Sequence, residues 1–248
     1  MSKRDFNGNK RPPQDGGRFQ SMFGSFRDEL DEHYARKERV VKVSRDVTSE
    51  SKKIIFALQR VKQLNKDFPP NIQQDVSTRM AEINKLIQSV NADLQGINRY
   101  RYASQLKCLE ELVEALSFSH YLRHQTLVTP SEAQAATPAL PLTYADFMYG
   151  VFDLFGELMR FATVTTAQKG ELVGDHGRTI LSDMQELGFG FEMLPEVRTK
   201  DFRFKMQTMR QSVVKVEKLG YGLSVRGSER PKGWVPDMKD DGPPNTEE

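Results

Sequence analysis

Apolar residues recur at intervals of three, four and seven along most of the chain, a spacing that predicts long amphipathic helices. The first predicted helix runs from Phe23 to Val61 with a bend near 44–48, and the second runs from Val76 to Leu94 and ends at Gly96. Further helices are predicted at 98–125, 143–168, 175–187 and 198–222. No segment alternates like a half-buried strand. The pattern predicts an all-α fold, an antiparallel bundle of about six to seven long helices in one domain.

Glycine- and proline-rich segments divide the chain. Residues 1–17 and 229–248 are polar and rich in turn-forming residues, so we expect disordered tails on either side of a helical domain at 18–228. Within that domain, residues 128–141 contain three prolines and many small residues. This composition predicts a flexible connector between the third and fourth helices.

The charge balance sets limits on function. The 36 basic residues nearly match the 34 acidic ones, so affinity for nucleic acid has to come from a local patch or from a partner. The single cysteine, Cys108, excludes an internal disulfide. No apolar run reaches the roughly 18 residues of a membrane span, and the first residues have no apolar core of a secretory signal. We expect no membrane association and a location in the cytoplasm and nucleus.

Two predicted helices each carry a pair of acidic residues on one face. Glu111 and Glu114 are three residues apart, and Asp153 and Glu157 are four apart, with Asp146 seven positions earlier on the same side as Asp153. If the two faces met, their carboxylates could bind Mg²⁺, which activates water and neutralises charge on a phosphodiester. The alternative is an ordinary solvated helix face, which the spacing alone favours. Apolar neighbours around Asp153 and Glu157 indicate that their helix is buried on two sides.

Basic residues form a second candidate site for phosphate contact. They lie on the first helix and beside the acidic pairs: Arg36, Lys37, Arg39, Lys42, Arg45, Lys107 and Arg160. The alternative is a long exposed helix whose positive charges are balanced by nearby Asp and Glu residues. Position in the sequence does not decide between the two.

Four segments of the chain resemble the translin-associated factor X family, a branch of the translin superfamily. They are SRDVTSESKKIIFALQRV (44–61), LEELVEALSFSHYL (109–122), YADFMYGVFDLFGELMR (144–160) and KVEKLGYGLSVRGSERPK (215–232). The acidic pair in the second segment and the GV-x-D-L-x-GEL-x-R pattern in the third distinguish this family from translin. By this resemblance Glu111, Glu114 and Asp153 correspond to catalytic, metal-binding acids, and Glu157 to a neighbouring metal ligand.

The resemblance also implies a translin-like fold and a function. It implies the catalytic subunit of a Mg²⁺-dependent endoribonuclease that forms a hetero-oligomeric barrel with translin and cuts single-stranded RNA, either passenger-strand fragments of small interfering RNA or fragments of transfer-RNA precursors. A non-catalytic scaffold that stabilises translin and binds RNA or single-stranded DNA is the alternative, and a helical adaptor without nucleic acid is a third. Carboxylates that face a polyanion repel it without a cation, which favours the nuclease.

Overall fold

The computed structural model describes residues 17–175 and 177–226, and in this part of the chain the fold is an antiparallel bundle of α-helices. The long helices are α1 (Gln20–Leu58), α2 (Pro70–Val90), α4 (Cys108–His124), α6 (Tyr144–Lys169), α7 (Ile180–Glu192) and α8 (Lys200–Arg226). The short helices are α3 (Asn98–Arg101) and α5 (Pro130–Ala136), and 3₁₀ turns occupy Ala92–Leu94 and Ala103–Gln105. The all-α prediction is confirmed. The predicted tails lie outside the described residues, apart from Gly17.

Helix α4 lies at the centre of the bundle, between α1 on one side and α6 on the other. Helix α2 packs on α1, and α8 packs on α6 and α7. The largest buried side chains lie mainly between α4 and α6: Leu109, Leu112, Phe118, Leu154, Phe155 and Leu158. Each such side chain stabilises the fold by about 1.5–3 kcal/mol relative to exposure, so this pair of helices contributes a large part of the core.

The first half of α1 extends beyond the core. Its apolar stripe, predicted as core, is exposed at Phe23, Phe26, Leu30 and Tyr34, whereas Val40 and the later stripe residues are buried. The helical prediction is correct, but the core prediction is wrong for these four residues, which are more than half exposed. The contacts of this part of α1 with α3 and Tyr102 are polar and use His33 on another side of the helix.

The predicted third helix is broken. Instead of one helix over 98–125, the chain forms α3, a 3₁₀ turn and then α4, and Tyr102 leaves the helical conformation at φ −101° and ψ 16°. Arg99 is buried in this region, where its Nε donates to the carbonyl of Pro141 and its Nη2 pairs with Asp146. Because these contacts are with a segment more than 40 residues away in the sequence, the local apolar periodicity does not predict the break.

The expected flexible connector at 128–141 is instead an ordered segment that contains α5. Thr129 and Glu132 form a capping box at its first turn, where the Thr129 hydroxyl accepts from the Glu132 amide and the Glu132 side chain accepts from the Thr129 amide. Ala133 and Leu140 are buried, and the Asn84 side chain donates to the carbonyl of Ala136 at 3.1 Å. The prolines therefore mark helix ends rather than flexibility.

A small hairpin precedes α7. Gly174–Asp175 pairs antiparallel with Arg178–Thr179, and Gly177 takes a φ of +77° in the turn. Helix α7 therefore begins at Ile180, capped by Thr179, and not at residue 175 as predicted. Among the described residues, no helix has the length and apolar character needed to cross a membrane.

Candidate metal and RNA site

A glycine at the crossing of α4 and α6 brings the two acidic helices together. Gly150 lies so close to α4 that a β-carbon there would be 2.6 Å from the carbonyl oxygen of Glu110 and 2.6 Å from the β-carbon of Val113. Gly150 precedes Asp153 by one turn, and Val113 directly precedes Glu114. The absence of a side chain at Gly150 therefore sets a short separation between the two acidic faces.

Glu114 lies at the buried centre of the acidic residues, with 9% of its surface exposed. Burial raises its pKa to about 8, and the charges of Asp153, Glu111 and Glu157 contribute further. The pKa of Glu111 is also raised, by burial and then by Asp153 and Glu110, against a lowering by Lys52. The acidic cluster, defined as Glu110, Glu111, Glu114, Asp153 and Glu157, is thus an electrostatic unit. Glu114 therefore does not lie on an ordinary solvated helix face.

Lys205 of α8 enters this cluster from one side. Its Nζ donates to Asp153 Oδ2 at 2.6 Å, to Glu110 Oε2 at 2.9 Å and to the carbonyl of Tyr149 at 3.1 Å. The side chain is only 17% exposed. Burial opposes its charged form, but Asp153 and Glu110 outweigh burial and raise the pKa of Lys205. Lys205 is a fixed cation of the cluster.

Helix α1 covers the other side of the cluster. The Gln59 amide donates to Glu157 Oε2 at 2.9 Å, and Lys52 Nζ lies 3.9 Å from Glu111 Oε1. Gln59 directly follows the last residue of α1 and keeps helical dihedral angles, so it lies on the same side as Lys52, seven residues earlier. The cluster is therefore bordered by α1 and α8, with its carboxylates supplied by α4 and α6.

The residue types of the cluster fit a divalent cation, because hard ions such as Mg²⁺ prefer carboxylate oxygens. Burial is the largest cause of the raised pKa values of Glu111 and Glu114, and the positive charge of Lys205 near both carboxyls offsets it only in part. However, over residues 17–175 and 177–226 no three His, Cys, Asp or Glu side chains stand together in metal-binding geometry. Lys205 and Gln59 engage Asp153 and Glu157 instead.

Asp146 does not join the cluster, although its position on α6 suggested the same side as Asp153. Its carboxylate accepts from the amide and hydroxyl of Thr143 as part of a capping box and forms an ion pair with Arg99. These bonds place Asp146 in the structural contact that fixes the start of α6.

The predicted basic residues form no ion pair with the acidic cluster in the part of the chain that the structure describes. Arg36 lies 2.5 Å from Glu32 and 3.5 Å from Asp93, and Arg39 pairs with Asp93 at 2.7 Å. Lys107 pairs with Asp201 at 3.2 Å. Lys37, Lys42, Arg45 and Arg160 are exposed. At about 1.5 Å per residue, Lys37 lies roughly 20 Å along α1 from Lys52 and thus from the cluster.

Sequence analysis did not identify Lys205, Glu110, Lys52 or Gln59 as members of the site. One signal for Lys205 was present: it follows Phe202 by three positions and precedes Met209 by four, so a lysine lies on the apolar stripe of α8. A cation on a core-facing stripe indicates a buried acidic partner. The partner itself is not identifiable from α8 alone.

The family model and the similar proteins of known name all point to one family. A model of the translin family matches residues 35–227. Translin-associated protein X of Mus musculus is 30% identical to the chain, over 87% of the chain and 82% of the relative. The Translin-associated protein X homolog of Schizosaccharomyces pombe is 26% identical, over 84% of the chain and 89% of the relative. Translin of Mus musculus is also 26% identical, over 77% of the chain and 86% of the relative.

Solved structures share the fold. AfC3PO superposes with a TM-score of 0.62 at 18% sequence identity, covering 82% of the chain and 97% of the AfC3PO chain. The structure of AfC3PO with duplex RNA gives a TM-score of 0.60 at 19% identity, over 84% and 100% of the two chains. At these identities the similarity establishes the helical architecture.

Proposed function

The chain belongs to the translin family, and we propose that it is the catalytic subunit of a Mg²⁺-dependent endoribonuclease that acts on single-stranded RNA in complex with translin. The similarity to Translin-associated protein X supports a translin partner, and the likeness to AfC3PO, solved with duplex RNA, supports a role with RNA. Passenger-strand fragments of small interfering RNA or transfer-RNA precursor fragments are the proposed substrates, and the cytoplasm and nucleus the proposed location.

The buried position of Glu114 is the observation that carries this proposal. Taking a carboxylate out of water is costly unless a cation compensates it, and here three further carboxylates raise its pKa. A helical scaffold gains nothing from such a group, because an apolar residue at the same position would stabilise α4 more. A divalent cation would remove the cost by binding the ionised carboxylates.

Glu111, Glu114, Asp153 and Glu157 are the residues proposed to hold Mg²⁺. When bound, the ion supplies an acidified water and neutralises charge on the phosphodiester. The protein contributes the separation of α4 and α6, fixed at Gly150, and the exclusion of water around Glu114.

RNA binding is proposed to use exposed basic residues outside the cluster. Lys37, Lys42, Arg45 and Arg160 present their charges to solvent, and Lys107 forms an exposed ion pair that a phosphate can replace. Arg36 is proposed to contact RNA only in addition to its bonds with Glu32 and Asp93. Single-stranded DNA is a second ligand of the same chemistry, because both present a phosphate backbone.

The partner is proposed to cover the exposed stripe of α1 in a hetero-oligomeric barrel. Phe23, Phe26, Leu30 and Tyr34 form a row of apolar side chains that are more than half exposed among the described residues. Contiguous exposed apolar residues mark protein–protein contacts in soluble proteins. Translin, a relative with the same family fold, is the proposed occupant.

One observation favours a non-catalytic scaffold as the alternative. Asp153 and Glu157 already have partners in Lys205 and Gln59, so part of the cluster is satisfied without an ion. In a scaffold these contacts would join α1, α6 and α8. The chain would then stabilise translin and bind RNA without cleaving it.

Cleavage of a labelled single-stranded RNA by the complex co-expressed with translin decides between the two. We expect cleavage in Mg²⁺, none in EDTA, and a loss of at least about 100-fold in Asp153→Asn, while assembly and RNA binding persist. Asp75→Asn is the matched control, because Asp75 has similar exposure and pairs with Arg79 on α2, away from the cluster. Equal cleavage by wild type and Asp153→Asn, or none by either, would contradict the catalytic proposal and favour the non-catalytic scaffold.

A further inference from the structure

Three contacts of Lys205 define its role more narrowly than a general ion pair. Its ammonium meets one carboxylate from α4, one carboxylate from α6 and the carbonyl of Tyr149, all within 3.1 Å. The same nitrogen lies 5.2 Å from the centre of the Tyr149 ring. Three oxygens around a small, partly buried cation resemble the environment that a metal ion takes in an acidic site.

Asp153 cannot serve Lys205 and a divalent cation equally. The Lys205 ammonium lies 2.6 Å from Asp153 Oδ2, so a divalent ion bound to the same carboxylate would be close to the ammonium. Like charges at short range repel strongly where water is excluded. Either cation satisfies the carboxylate, and the ammonium has the advantage of being tethered to α8. No three of the described acids stand in metal-binding geometry, and Asp153 is held by Lys205 in this arrangement.

We propose that Lys205 is the resident counter-ion of the acidic cluster and competes with a divalent cation for Asp153. This inference rests on the proposed metal site. Lys205 keeps Asp153 and Glu110 in place and weakens divalent binding, so that the complex takes up the ion only when its concentration is high enough to displace the ammonium. Lys205 is thus a positioning residue for the site and sets its cation affinity.

Calorimetric titration of the translin complex with Mn²⁺, without RNA, tests the competition. Lys205→Met keeps the unbranched stem and removes the charge, and we expect Mn²⁺ to bind about tenfold more tightly, the equivalent of about 1.4 kcal/mol. Lys205→Arg retains the positive charge and should therefore not show this tenfold gain. Arg210→Met is the matched control on the same helix, because Arg210 pairs with Glu192 of α7 and not with the acids.

The outcomes separate this inference from the metal site itself. Unchanged or weaker Mn²⁺ binding in Lys205→Met, together with lost binding in Asp153→Asn, would overturn the competition and keep the metal site. Mn²⁺ binding to Asp153→Asn as tight as to wild type would overturn both.

Thermal melting provides a second readout that does not depend on activity. Without divalent ions, Lys205→Met should melt at a lower temperature than wild type, because Glu110 and Asp153 lose their cation. Mn²⁺ should then raise its melting temperature more than it raises that of wild type or Arg210→Met. If Lys205→Met does not assemble, Lys205→Gln replaces it, since the amide keeps a hydrogen-bond donor without the charge. An equal Mn²⁺ response in all variants would contradict the competition.

Discussion

Gly150 of α6 packs directly against Val113 of α4, so closely that a β-carbon on Gly150 would lie 2.6 Å from the Val113 β-carbon. The contact lies one turn from Asp153 and one residue from Glu114. It therefore couples the stability of the central helix pair to the separation of the carboxylates. A substitution at this one glycine tests both.

Gly150→Ala should destabilise the complex by about 1–3 kcal/mol, because the methyl group has no space and α4 and α6 must move apart. The same movement should weaken Mn²⁺ binding. Thermal melting and calorimetric titration measure the two effects. Gly156→Ala is the control on the same helix, with nothing within 4 Å of its β-carbon, and should stabilise by about 0.5–1 kcal/mol through helix propensity. Similar behaviour of the two variants would show that the contact at Gly150 is loose.

The raised pKa of Glu114 predicts a stability that falls as pH rises. The carboxyl ionises near 4.5 when unperturbed and near 8 when folded, so between these values the folded chain retains a proton that the unfolded chain has lost. Folding is therefore penalised progressively from about pH 4.5 to pH 8.

Glu114→Gln removes this penalty and should make the complex more stable than wild type at pH 8.5 by on the order of 4 kcal/mol, with little difference at pH 4. Denaturant unfolding in EDTA at fixed protein concentration measures the difference. Parallel pH profiles for wild type and Glu114→Gln would contradict the assignment of the shift to this carboxyl.

The buried pair of Arg99 and Asp146 predicts a large structural effect without any change of chemistry at the acids. Arg99→Met leaves the Asp146 carboxylate with only its Thr143 contacts and frees the carbonyl of Pro141, which should cost about 3–5 kcal/mol. Melting temperatures measure the loss. Arg27→Met removes an exposed pair with Asp28 and should have no measurable effect. A small effect of Arg99→Met would indicate that water replaces the guanidinium.

The exposed lysines of α1 predict a salt-dependent contribution to RNA binding. Lys37→Ala combined with Lys42→Ala should weaken binding of single-stranded RNA and lower the salt slope by about 0.7 per lost phosphate contact, without a change in melting temperature. Fluorescence anisotropy over a range of NaCl concentrations in EDTA measures the slope. Lys85→Ala, an exposed lysine of α2, is the control. An unchanged slope would remove these lysines from the RNA surface.

Local periodicity predicted the helices that pack along most of their length. The patterns at 76–94 and 143–168 correspond to α2 with its following turn and to α6, because most of each stripe is buried and the ends carry prolines, glycines or caps. Two details differ from the prediction: α2 begins earlier, at Pro70, and Tyr144 at the start of α6 is exposed. The break between α3 and α4, the helix at 130–136 and the hairpin before α7 were not predictable in the same way. The break at Tyr102 accompanies hydrogen bonds of Arg99 to a distant segment, and Asn84 of α2 bonds to the end of the helix at 130–136. That helix begins with a local capping box and the hairpin is also local, but neither has the apolar periodicity of a long helix.

The sequence by itself determined that Glu111 and Glu114 share one helix face and that Asp153 and Glu157 share another, since a period of 3.6 residues fixes direction around a single helix. Only the tertiary structure decided that Glu114 is buried, that Asp146 turns to Arg99, and that Lys205 reaches Asp153. The last contact joins residues 52 positions apart, and the contact of Lys205 with Glu110 joins residues 95 positions apart. Periodicity carries no information on which helices become neighbours, because that choice is made by the packing of whole faces such as the one at Gly150.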